Sequence, residues 1–281
     1  MIGVVVDSNS QLPGSLAERY GIEVVPLTVT VNGVDHLEGV DLTSRAFYAS
    51  WDDGKVPTIT TSQPSPGQFV AAYQRLAARG CTEILSVHIA EAMSGTLNSA
   101  RLAAQMVDVP VRLVDSGTAS FGISCCAWAA ADAIADGADV ESAALIAEER
   151  AGVLGTTFIV GVPQLMERSG RADGAGVEAA SNVGIPVLSM AGGDLAVLVT
   201  VQTVEAAVAA MTEYALGWTP SAPAGLRVAI GTSDMASALV SADLADALRG
   251  RPALAEEPVH YTIGPSVGAH TGPGTSGLFV F

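Results

Sequence analysis

Along the first half of the chain, short apolar runs alternate with segments whose apolar residues recur at helical spacing. The runs Ile2–Val6, Val24–Val31, Glu83–Ile89 and Val111–Val114 have the length and β-branched content of strands. Between them, Ser65 followed by Pro66 supplies a helix cap and a favoured first helical residue. Phe69, Tyr73, Leu76 and Ala77 then repeat at helical spacing up to Gly80. The Ala-rich stretches Ala127–Ile134 and Val140–Val153 are predicted helical as well, the second with Asp139 before it and Glu141 in its first turn. Strands and helices in alternation predict a mainly parallel sheet with helices on both faces.

The second half carries a different pattern. A strand begins around Leu154–Gly161, and further strands are predicted at Val187–Met190, Asp194–Val201, Leu226–Ile230 and Val259–Ile263. Helices are predicted at Val204–Leu216 and Met235–Leu248, whereas the Gly- and Ala-rich stretch Gly170–Gly184 fits neither period and is taken as a loop with one weak helix. These elements predict a mixed sheet with helices on one side. The chain has 281 residues, more than one small core usually organises, so two α/β domains are expected, 1–153 and 154–281, with a ligand site between them.

Composition narrows the function classes. Hydrophobic residues make up 49% of the chain and charged residues 15%, which supplies sizeable cores with apolar material left for a pocket. The 13 Lys and Arg against 29 Asp and Glu give a net charge of -16, which repels nucleic acid and anionic membrane surfaces. The start MIGVVVDSNS has no basic residue before its short apolar run, so neither a signal peptide nor a membrane-inserted span is expected and a cytoplasmic location is. Cys81, Cys125 and Cys126 suit neither a disulfide framework nor a zinc site and are expected as buried small side chains. His36, His88, His260 and His270 include no pair at metal-ligand spacing within a helix, so no metal is expected.

Ligands of open parallel sheets bind beyond the carboxyl ends of the strands. There the sequence places hydroxyls. The first strand runs into Asp7, Ser8, Asn9 and Ser10, the third into Met93, Ser94, Gly95 and Thr96, and the fourth into Asp115, Ser116, Gly117 and Thr118; the loop Thr58–Ser65 adds Thr60, Thr61 and Ser62. One such residue alone is ordinary helix-cap or turn chemistry. Several at one sheet edge, beside the free N–H groups of helix starts, suit a carboxylate without any lysine, and Ser94 with Gly95 opens a helix there.

The run GPSVGAHTGPGTSG from Gly264 to Gly277 presents His270 within backbone that can approach a ligand closely. Gly272, Gly274 and Gly277 spell G-x-G-x-x-G, but only Leu278–Phe281 follow, too few for the helix that would hold a pyrophosphate. A nucleotide cofactor is therefore not expected.

VVVDSNSQLP at the start, TSQPSPGQF from Thr61, SGTLNSA from Ser94, VDSGTASFG from Val114 and IGPSVGAHTGPG from Ile263 together resemble the DegV family of bacterial fatty-acid-binding proteins, in family order along essentially the whole chain. The resemblance implies two domains with a long-chain fatty acid in a tunnel between them. It further implies a carboxylate held by Thr61 and Ser94, with Ser62, Gly95, Thr96 and Ser116 around it and His270 as a nearby polar contact. Arg171, in Ser169–Ala172 where the family has Gly-Gly-Arg-Ile, would offer a cation near the head group. Some members of such families present the bound acid to a separate kinase, which phosphorylates the carboxylate. The family's lysine-rich stretch after the arginine is here Asp173–Ser181 with no basic residue, a departure at the expected kinase-docking surface.

Two function classes follow. One is a non-catalytic lipid carrier with no cofactor, working with a fatty-acid kinase or sensing lipid without one. The alternative is an esterase or acyltransferase with Ser94 as nucleophile, His270 as base and Asp7 or Asp115 as acid, although the chain lacks a G-x-S-x-G elbow.

Overall fold

The computed structural model describes residues 1–51, 56–168, 170, 176–191, 194–219 and 225–281. In chain order the first half holds β1 (Ile2–Asp7), α1 (Gly14–Tyr20), β2 (Glu23–Val25), β3 (Thr28–Val31), β4 (Val34–Leu37), α2 (Ser44–Ala49), β5 (Ile59–Ser62), α3 (Pro66–Ala78), β6 (Glu83–His88), α4 (Thr96–Ala104), β7 (Val111–Asp115), α5 (Phe121–Ala135) and α6 (Val140–Gly152). The second half holds β8 (Gly155–Ile159), α7 (Pro163–Arg168), α8 (Val177–Ser181), β9 (Ile185–Ala191), β10 (Asp194–Val201), α9 (Val204–Leu216), β11 (Val228–Thr232), α10 (Ala238–Leu248), β12 (Val259–Thr262), α11 (Pro265–Thr271) and β13 (Ser276–Val280). They form two compact units, Met1–Asp41 with Thr58–Gly152 and Leu42–Pro57 with Val153–Phe281.

The first unit is built on a fully parallel sheet in the order β2-β1-β6-β7. Its apolar runs are strands because they are buried on both faces. Val5, Val25 and Ile84 pack on one side against Phe69, Ala72, Tyr73 and Leu76 of α3 and Ala100 and Ala103 of α4, while α5 and α6 cover the other. The helix start foreseen at Ser65 is a full capping box. The Ser65 side chain accepts from the Gln68 N–H, the Gln68 side chain accepts from the Ser65 N–H, and Pro66 takes the first position. The first half of α5 is buried all round, from Phe121 to Trp128.

Two short pieces of this unit differ from the sequence expectation. Val24–Val31 is two strands separated at Pro26 and Leu27, and the stretch expected as a loop at Thr58–Ser65 contains β5, which pairs antiparallel with β3 in a small sheet of order β4-β3-β5.

The second unit has a mixed sheet of order β10-β9-β8-β13-β11-β12, in which β11 and β12 are parallel and the other neighbours antiparallel. The two long helices α9 and α10 lay Met211, Leu244 and Leu248 over Ile159, Val187, Ile230 and Leu278. Met166 of α7 and Val177 of α8 pack with Leu188 on the opposite face.

The Gly264–Gly277 run, read from sequence as backbone able to approach a ligand closely, is the helix α11, a turn and the start of the strand β13. Its glycines serve packing. A side chain at Gly268 would meet Phe47 and Tyr48 of α2, and one at Gly277 would meet Phe158 of β8. Tyr48 also donates to the Ile263 carbonyl at 3.1 Å, which explains why the excursion Leu42–Pro57 belongs to this unit.

Candidate head-group site

In the first unit the chain leaves β1 toward β2 on one side, while β6 lies on the other side of β1 and leads outward to β7. The sheet therefore has its switch point between β1 and β6, the place where ligands of open parallel sheets bind. Asp7, His88 and Asp115 end the three strands β1, β6 and β7 at this edge, with His88 in register with Asp115.

The hydroxyls at the edge divide into two groups. Some are turned into their own backbone: Ser116 is buried, donates to the Thr118 carbonyl at 3.3 Å and accepts from the Thr118 N–H at 3.4 Å. Asp115 accepts from the Gly117 N–H at 2.9 Å and from the Glu91 N–H, and Ser8 bonds Glu38 and accepts from the Leu27 N–H at 3.0 Å. These groups shape the turns that carry the site.

Ser94 and Thr61 stand differently. Ser94 is half-buried at the start of α4, its hydroxyl 2.8 Å from that of buried Thr96 and 3.3 Å from the Thr96 N–H. With Thr96 as the O–H donor, Ser94 keeps its own proton for an acceptor outside the pair. Gly95 caps α4 without a side-chain bond, so the helix opens with backbone N–H groups at its positive end. Thr61 is half-buried on β5 opposite Val29, and strand alternation turns Ser62 to the other face, where it is exposed.

The end of β5 and the start of α4 are in contact. A Cβ placed on Gly95 would lie 2.7 Å from the side-chain amide atoms of Gln63. Gln63 follows Thr61 and Ser62 directly, so the two segments that carry Thr61 and Ser94 share one surface. Gln63 was not among the candidates expected from sequence, since a polar residue in a turn carries no signal until its neighbour across space is known.

A Ser-His-Asp chain does exist in this unit, though not the expected one. Asp7 Oδ2 lies 3.0 Å from His88 Nδ1, and His88 Nε2 lies 2.7 Å from Ser86 Oγ. Ser86 Oγ is in turn 3.0 Å from the Tyr73 hydroxyl, and all four side chains are buried. A nucleophile must reach substrate, and Ser86 is enclosed in the core at 0% exposure. The hydrogen-bond partner of the Ser94 hydroxyl is Thr96.

His270 lies in the last turn of α11 in the second unit, half-buried. Arg171 lies outside the described residues. Among the described residues no group of His, Cys, Asp and Glu is placed to hold a metal ion, and no helix is long and apolar enough to cross a membrane.

The whole chain, residues 1–281, matches the sequence model of the DegV family. The chain belongs to the DegV family. A DegV domain-containing protein of Streptomyces coelicolor is 36% identical over 283 residues, covering 99% of this chain and 98% of that protein. Among solved DegV structures, a fatty-acid-binding family protein of Thermus thermophilus superposes with a TM-score of 0.87 at 28% identity, covering 100% and 99% of the two chains. DegV of Bacillus subtilis, a fatty acid binding protein, gives a TM-score of 0.85 at 25% identity, covering 99% and 98%. The α/β architecture, with one mainly parallel and one mixed sheet, is that of the DegV proteins.

Proposed function

We propose that this DegV protein is a carrier that buries one long-chain fatty acid, its carboxylate hydrogen-bonded by Thr61 and Ser94 and its acyl tail in an apolar tunnel. The observation that carries the reading is the contact of the Gln63 amide with Gly95, which sets the Thr61 and Ser94 segments side by side at the sheet's carboxyl edge. The relatives from Thermus thermophilus and Bacillus subtilis bind fatty acids, which supports the same ligand class here.

Energetics and chemistry divide between tail and head. A tail of roughly 15 methylenes at about 0.8 kcal/mol each contributes about 12 kcal/mol before the costs of association and ordering. The tail therefore supplies affinity, and the hydroxyls with the start of α4 set orientation. Gly95 and Thr96 complete that start, while Ser116 shapes the turn beside it and Ser62 faces away from Thr61. In this reading the protein works in the cytoplasm without catalysis of its own and presents the acid to a separate fatty-acid kinase.

The test is the Thr61→Val/Ser94→Ala double variant, purified and loaded with palmitate. Loss of most of the bound palmitate with an unchanged thermal midpoint is expected, and wild-type occupancy in the double variant would place the head group elsewhere.

A further inference from the structure

Asp7 ends β1 as a fully buried carboxylate. Its Oδ1 accepts from the Asn9 N–H at 3.0 Å, and its Oδ2 accepts from the Ile89 N–H at 3.1 Å besides meeting His88 Nδ1 at 3.0 Å. One side chain on β1 thus holds the backbone at the very end of β6.

The bond to Ile89 reaches Ser94 in a few steps. The next residue, Ala90, donates its N–H to the Thr118 carbonyl at 2.9 Å, and its own carbonyl accepts from the Met93 N–H at 2.9 Å and from the Ser94 N–H at 3.1 Å. Ser94 therefore hangs from a turn whose first residue adjoins the one that Asp7 grips. The His88 carbonyl accepts from the Ser116 N–H at 3.0 Å, so the same grip holds the turn after β7.

The chain behind Asp7 has a definite direction. A carboxylate only accepts, so His88 Nδ1 carries a proton and donates to Asp7. If Nε2 carried one too, it would donate to Ser86, Ser86 would donate to Tyr73, and the Tyr73 O–H would be left without an acceptor in the core. Burial holds the Tyr73 hydroxyl protonated, its pKa pushed up to about 12. With His88 neutral every donor is used: Tyr73 donates to Ser86, Ser86 to His88 Nε2, and His88 Nδ1–H to Asp7. The Phe69 ring and the imidazole pack in a T-shaped pair, with ring centroids 5.0 Å apart and planes 79° to each other, which restrains the imidazole plane.

We infer that Asp7 is a positioning residue for the head-group site, held in place by a one-way hydrogen-bond chain from Tyr73 through Ser86 and neutral His88. The inference rests on the fatty-acid reading only for which ligand Ser94 meets.

Two measurements test it. The first is ¹⁵N NMR of the His88 ring in the ligand-free wild type: the neutral Nδ1–H tautomer is expected, and either the Nε2–H tautomer or an imidazolium at neutral pH overturns the chain. The second is the dissociation constant of a fluorescent dansyl fatty acid for Asp7→Asn and Asp7→Ser. Asn puts a donor where Oδ2 accepted, and Ser keeps an oxygen for Asn9 while removing the acceptor for Ile89. Each is expected to weaken binding about tenfold or more, the scale of losing bonds to a charged acceptor, with the Ile89 and Ser94 amide resonances shifted and those of the second unit in place. Wild-type affinity in a folded variant overturns the positioning role. Wild-type protein that binds no dansyl fatty acid counts against the fatty-acid reading, and the amide shifts of Ser94 on removal of the Asp7 carboxylate then decide the positioning role alone.

Discussion

The side-chain amide of Gln63 occupies the space beside Gly95, 2.7 Å from where a Cβ would sit. Gly95 has ordinary helical-side backbone, with φ of -73, so a larger residue is tolerated by the chain itself. The space is what it lacks. Gly95→Val is therefore expected to push exposed Gln63 aside, part the Thr61 and Ser94 segments and reduce palmitate retention about fivefold or more, at a stability cost of ~1 kcal/mol or less because a flexible side chain gives way. Palmitate retention by competition against the dansyl probe and urea unfolding measure the two effects; full retention would show that the junction is not part of the site.

Ser120 carries strain that the fold maintains. It has φ of 57 and ψ of -146 at the start of α5, a region comfortable for glycine, and its side chain makes no capping bond there. Its N–H donates to Asn9 Oδ1 at 2.9 Å, which ties the loop after β1 to the loop after β7. Ser120→Gly keeps that N–H and removes the strain, so it is expected to stabilise the protein by about 1 kcal/mol in urea unfolding. A destabilised variant would mean that the hydroxyl contributes more than the strain costs.

Alkaline stability follows from two buried groups. Burial pushes the Cys126 thiol up from its ordinary 9.0 to about 12 and the Tyr73 hydroxyl from 10.0 to about 12. Both are neutral when protonated and have raised folded-state values, so their contribution is complete below the unfolded value and is lost as pH rises through the folded one. Unfolding free energy should fall between pH 9 and 12, with a slope of up to about 1.4 kcal/mol per pH unit for each group. Cys126→Ala should flatten that decline from pH 9 onward. Equal slopes for variant and wild type would show that the thiol is not protected by the fold.

The major elements were legible because their burial leaves a pattern. Short runs rich in β-branched and apolar residues gave β1, β6 and β7, and the helical spacing of Phe69, Tyr73 and Leu76 with the Ser65 cap gave α3. The small sheet was not legible: β5 is four residues, three of them Thr or Ser, and its pairing with β3 depends on tertiary contact. The helix α11 was hidden by Gly264, Gly268 and Gly272. The glycine at 268 exists for its approach to Phe47 and Tyr48, a contact across more than two hundred residues that local sequence does not carry.

The candidate site was legible by residue type and not by arrangement. The hydroxyls that follow β1, β6 and β7 share one edge, since strand direction alone fixes which loops lie together. Which hydroxyls face their own turns, as Ser116 does, depends on loop geometry. The partnership of Asp7 with His88 depends on β1 lying beside β6, and periodicity is silent on strand order.

The most direct measurement is organic extraction and mass spectrometry of the protein purified from a bacterial host, with native mass spectrometry for stoichiometry. One long-chain fatty acid per chain, released only on denaturation, is the predicted result. Protein that is empty as purified and takes up no added palmitate would contradict the carrier account.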